Sequence, residues 1–129
     1  MKITLIFGAL LLSLAAAGCG GSSSHDCNMT GISISPASGS ANHSAAAPGN
    51  QQQFMASPVL PQGCVPPPLP FGFATWSVSD PVNVSISNAK DQTNGVATCN
   101  GATAGAITVT ASTAVANGTV TGMAKLTCN

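Results

Sequence analysis

The sequence contains no Arg, no Glu and no Tyr, one Trp, and only three Lys against three Asp in 129 residues. Without Arg and with so little Lys, nothing is available to neutralise phosphates or read a base edge, so nucleic acid is excluded as a partner. Without Glu, the paired carboxylates of hydrolytic chemistry would have to come from Asp26, Asp80 and Asp91. Asp80 stands before Pro81 as a bend acceptor and Asp91 sits in a polar turn, so a non-enzymatic chain is expected. The shortage of aromatic rings also weighs against a carbohydrate platform. Low charge separates the chain from ordinary disordered sequences, which stay open through charge and low hydrophobicity. The plentiful Ser, Thr, Asn and Gly read instead as solvated β surface and turns.

The one long apolar run is at the N-terminus. Met1-Lys2 leads into Ile3 to Ala17, interrupted only by Thr4, Gly8 and Ser13, and the run closes on Ala16-Ala17-Gly18-Cys19. It falls short of the roughly 20 residues that span a bilayer, and its basic start and small-residue end are those of an export signal. With a Cys directly after the small residues, the segment resembles the bacterial lipoprotein signal, although Ala16 stands where that family more often has Leu. The resemblance implies cleavage before Cys19, diacylglycerol on its thiol and an acyl chain such as palmitate on the new amine. Several chains hold a protein stably where one holds it only marginally. Gly20, rather than Asp, follows the Cys, and in the sorting pattern of such lipoproteins this implies the outer rather than the inner membrane of a two-membrane envelope. The expected organisation is a signal peptide over 1–18, a flexible lipid-anchored tether over 19–29 and one domain over 30–129.

Within that domain, short runs alternate apolar with hydroxyl side chains, and Gly, Pro or Asn punctuate them. Ile32 and Ile34 share a face of the first run, Phe54 anchors the second, and Ala74, Trp76 and Val78 form the third before Asp80-Pro81 ends it. Val82, Val84 and Ile86 make a fourth and residues 95–99 a fifth. Ile107, Val109 and Ala111 carry the clearest period of two, and Ala124, Leu126 and Cys128 face inward on the last. Residues 37–50 read as turn material. Pro58 to Pro70 reads as a rigid crossover loop, since its prolines forbid interior sheet pairing. These features predict an all-β fold, a sandwich of about seven short antiparallel strands with a barrel as the structural alternative, and Trp76 and Phe54 as core anchors.

Several of the runs, taken in order, resemble the blocks of bacterial Ig-like domains of group 2. They are Ile32 to Pro36, Gly49 with Gln53-Phe54-Met55-Ala56, Thr75-Trp76-Ser77-Val78-Ser79-Asp80-Pro81, Asn94-Gly95-Val96, Gly105 to Ala111 and Ala124 to Thr127. The resemblance implies an immunoglobulin-like Greek-key order for the strands, and the chain departs from the family in its long proline-rich loop and in its added cysteines. Cys27, Cys64, Cys99 and Cys128 are an even set in an oxidising compartment, for which sequence allows three pairings. The family's strand order implies Cys27 with Cys64 and Cys99 with Cys128.

No cofactor or metal is expected. His25-Asp26-Cys27 with His43 fits no closed Cys/His spacing. Members of the family serve as stalks, adhesin modules and accessory domains. The resemblance therefore implies a non-catalytic structural or adhesive lipoprotein of the cell envelope, held to the membrane through its N-terminal lipid, with an envelope protein or a glycan as partner. The alternative is a small lipoprotein that binds carbohydrate or peptide in a cleft beside Val65 to Phe73.

Overall fold

Alternation of small apolar and hydroxyl side chains favours extended backbone half-buried on one face, and the described chain adopts it in nine strands. The computed structural model describes residues 27–129. The signal segment, Cys19, most of the tether, His25 and Asp26 lie outside the described residues. The strands are β1 (Gly31–Ser35), β2 (Ser38–Ala41), β3 (Gln51–Gln53), β4 (Met55–Val59), β5 (Thr75–Val78), β6 (Val84–Ile86), β7 (Val96–Cys99), β8 (Ile107–Val115) and β9 (Gly118–Cys128). No helix among the described residues is long and apolar enough to cross a membrane.

One sheet has the order β2-β9-β8-β5, a second β3-β7-β6, and β1 pairs with β4 alone. Only Phe54 separates β3 from β4, so the two smaller sheets share one continuous stretch of chain. Every pairing is antiparallel except that of β2 with β9, which is parallel. Buried side chains from both sides, among them Ile32, Phe54, Trp76, Val84, Val109 and Leu126, join in a single core. This is an all-β architecture that fits an immunoglobulin-like sandwich, two layers of strands with one shared interior.

The strand count departs from the expected seven for identifiable reasons. After Ser35-Pro36 the chain leaves β4 and re-pairs with β9, so Ser38 to Ala41, read as turn, is a strand of its own. The second run breaks at Phe54, where pairing passes from β7 to β1. Val82 does not join the face of Val84 and Ile86: it is 84% exposed. The Asp80 carboxylate holds the Asn83 amides in a tight turn and turns Val82 outward. β8 and β9 are longer than their alternating cores, and they meet in a hairpin whose tip is Ala116-Asn117.

Register fixes the ends of the sandwich. The starts of β1, β5 and β9 and the ends of β4 and β8 lie together at one end. The proline loop and the hairpin tip therefore share that end, while β7 and β9 finish at the other.

Candidate functional site

At the loop end, the segment from Pro66 to Phe73 folds back over β4 and leaves a groove of about 510 Å³. Met55, Ala56 and Pro58 form one wall, and Pro66, Leu69 and Phe71 stand opposite. Pro58 is paired directly with Ile32 yet has no N–H to give, a substitution tolerated on a strand whose other edge is open. That open edge faces the groove. Met55 is 64% and Phe71 60% exposed, so apolar surface that would ordinarily be covered is presented to solvent.

The inner side of the groove is made by the two core anchors, Phe54 and Trp76, and by a polar seam that secures them. The Trp76 indole N–H donates to Asn94 Oδ1 at 2.8 Å, and Asn94 Nδ2 donates to the Ala89 carbonyl at 2.8 Å. Gln53 Nε2 donates to the carbonyls of Phe54 and Asn94, each at 2.8 Å. Asn88 completes the seam: its Oδ1 accepts the Trp76 backbone N–H at 2.6 Å and its Nδ2 donates to the Trp76 carbonyl at 3.0 Å. One side-chain amide thus pairs with the edge of β5 as a neighbouring strand would, and blunts that edge. With these amides engaged, the groove offers mainly apolar contact. None of the side chains that line it is ionisable, so its chemistry is binding by shape and hydrophobic burial.

Trp76 and Phe54 are buried and lie together against the groove, and Ile107 packs on the same core. Cys27 is bonded to Cys64 at the loop end, with a Cα–Cα distance of 5.6 Å. Cys99 is bonded to Cys128 at the far end and ties β7 of one sheet to β9 of the other. Cys19 lies outside the described residues. Among the described residues no group of three or more His, Cys, Asp or Glu is placed to hold a metal ion. Beyond Ala111 the chain continues as β8 to Val115, and only the Ala116-Asn117 tip of the hairpin belongs to the loop end.

The two described carboxylates serve turns. Asp80 accepts from the Asn83 side-chain amide at 2.8 Å and its backbone N–H at 3.2 Å, which hold its pKa below the usual carboxylate range. Asp91 is lowered likewise by the Thr93 hydroxyl at 2.6 Å and the Thr93 N–H at 2.8 Å. Met55 and Asn94 are the site residues that sequence reading passes over. An outward Met on a strand was the only signal for the first, and the Asn94-Gly95 turn was the only one for the second. No protein-family model matches the chain, and a search of curated proteins finds no match to it.

Proposed function

We propose that the chain is a lipid-anchored, non-catalytic module of a bacterial cell envelope, an immunoglobulin-like domain of the group 2 kind with a structural or adhesive role. The observation that carries this reading is the pair of disulfides, one at each end of the sandwich. Such bridges persist in oxidising compartments, which agrees with an export signal ending at Cys19. The shared sandwich supports the comparison with group 2 domains at the level of architecture only, since one fold hosts many functions. The anchor is tested by fractionating cells that express the full chain or its Cys19→Ala variant. The full chain is expected in the membrane fraction with acyl chains on the Cys19 peptide by mass spectrometry, and the variant in the soluble fraction. An unacylated Cys19 in the membrane-associated chain would defeat the reading.

The groove favours a second reading, a small ligand-binding lipoprotein. Its volume of about 510 Å³ lies within the roughly 300–1,000 Å³ of ordinary ligand sites. Pull-down from envelope extracts, set beside a glycan array and a peptide library, separates the two. Capture of an envelope protein by the sandwich supports the adhesive role. A glycan or peptide whose binding is lost in Phe71→Ala supports the second.

A further inference from the structure

We infer that the loop end of the sandwich lies against a phospholipid bilayer, with Val65, Leu69 and Phe71 immersed in its interfacial layer. The inference rests on the reading of Cys19 as lipidated and adds to it an orientation and a contact surface. Val65 is 85%, Phe71 60% and Leu69 37% exposed, and all belong to one loop. Leu69 and Phe71 line the groove together; single exposed apolar residues are ordinary, whereas several at one end of the fold need a partner.

The chain outside the structure indicates which partner. Cys27 follows Cys19 by eight positions. At full extension that stretch reaches about 28 Å, at roughly 3.5 Å per residue. It ends at a cysteine bonded to Cys64, which immediately precedes Val65. A lipid on Cys19 therefore tethers the domain by the very loop that carries the apolar cluster, and a short tether keeps that end toward the membrane.

The chemistry of the surface agrees. From Ser57 to Ser79 there is no ionisable side chain other than the bridged Cys64, and none from Ser112 to Ala124, which includes the neighbouring hairpin tip. The closest charged side chains in the fold belong to the turn before β7, where the Lys90 stem lies beside Gly72. The loop also carries Pro61, Pro66, Pro67, Pro68 and Pro70, none of which has a backbone N–H. Few donors are left to desolvate on contact with lipid, where an unsatisfied backbone group is costly.

The full chain is purified in its acylated form, with Cys19 acylation confirmed by mass, and reconstituted in phosphatidylethanolamine–phosphatidylglycerol vesicles. Val65→Trp and Phe71→Trp report the loop end, and Ala104→Trp, in the turn before β8, reports the far end. Lipids brominated along the acyl chain are expected to remove about half or more of the fluorescence added at positions 65 and 71, consistent with burial about 5–10 Å below the headgroups. The fluorescence added at position 104 is expected to be unchanged. If Cys19 is acylated and neither loop reporter is quenched, the orientation is wrong and the anchor stands. Quenching that is equal at all three positions also overturns it. If Cys19 carries no lipid, the anchor reading and this inference fall together. Loop reporters that are unquenched but covered by a co-purifying envelope protein would give the surface to that partner instead.

Discussion

At the scale of single residues, the most constrained position is Gly95. It has φ +79°, and a Cβ there would lie 2.4 Å from the Phe54 carbonyl oxygen and 2.9 Å from Trp76 Cζ2. The glycine therefore lets the turn before β7 close on both core anchors at once. Its own carbonyl accepts the Phe54 N–H at 3.0 Å, so the close approach also satisfies a backbone donor. Two other glycines separate the conformational part of this constraint from the steric part. Gly63 has φ +87° with open space around it, and Gly105 has open space without a left-handed backbone. Gly105→Ala is expected to be neutral or stabilising by up to about 1 kcal/mol, because it narrows the unfolded ensemble. Gly63→Ala is expected to cost about 1 kcal/mol from its dihedral angle alone. Gly95→Ala adds overpacking to that and is expected to cost about 3 kcal/mol or more. Urea midpoints at constant m-value measure the series. An equal cost at positions 63 and 95 would show that the contacts with Phe54 and Trp76 are not rigid.

At the scale of elements, the two disulfides differ in what surrounds them. Cys99 and Cys128 are 0% and 1% exposed, between the sheets, whereas Cys27 is exposed and Cys64 half-buried beside the loop. Reduction requires a thiolate to reach a sulfur, so access decides the order. With a mild thiol in the absence of denaturant, the Cys27–Cys64 bridge is expected to open first. The Cys99–Cys128 bridge waits for unfolding and is expected to be slower by about a thousandfold or more. Differential alkylation and peptide mass mapping read the order, and simultaneous loss of both would contradict the burial of the second. Element scale is also where the sequence was readable and where it was not. Ile107 to Ala111 and Thr75 to Val78 alternate a buried residue with a hydroxyl, and both are strands with the expected faces. β2 has no such contrast: Ser38-Gly39-Ser40-Ala41 buries only Ala41 and is held by backbone pairing to β9, a partner nearly ninety residues away. Val82 alternated correctly with Val84 but lost to the hydrogen bonds of Asp80, because a local turn can override a period of two. The proline loop was legible as a loop from Leu60 onward, whereas Pro58 and Val59, read as its start, complete β4. The groove was not legible, because it forms where the loop folds back over β4, a long-range contact that alternation within either segment does not encode.

For the whole molecule, the scarcity of charge determines how stability responds to its surroundings. The described residues hold two side-chain carboxylates, Asp80 and Asp91, and both have their pKa lowered in the folded state, chiefly by hydrogen bonds from the Asn83 amide and the Thr93 hydroxyl. A carboxyl whose folded pKa lies below its unfolded one contributes stability that is fully present above the unfolded value. That contribution disappears as pH falls through the folded value. For these two groups the window opens at about pH 4, near the unfolded pKa of Asp, and extends downward. Both turns are near the surface, so solvent screens the effect and the acid limb is expected to be shallow. The urea midpoint should therefore decline from its plateau near pH 5 as pH falls below about 4. Asp80→Asn keeps one acceptor oxygen for Asn83 but loses the second and removes one titration, so it should lower the plateau slightly and flatten part of the decline. Added salt should leave the plateau nearly unchanged, since few charges exist for it to screen. An acid limb unaltered in Asp80→Asn would show that the Asp80 turn is not where folding takes up its protons.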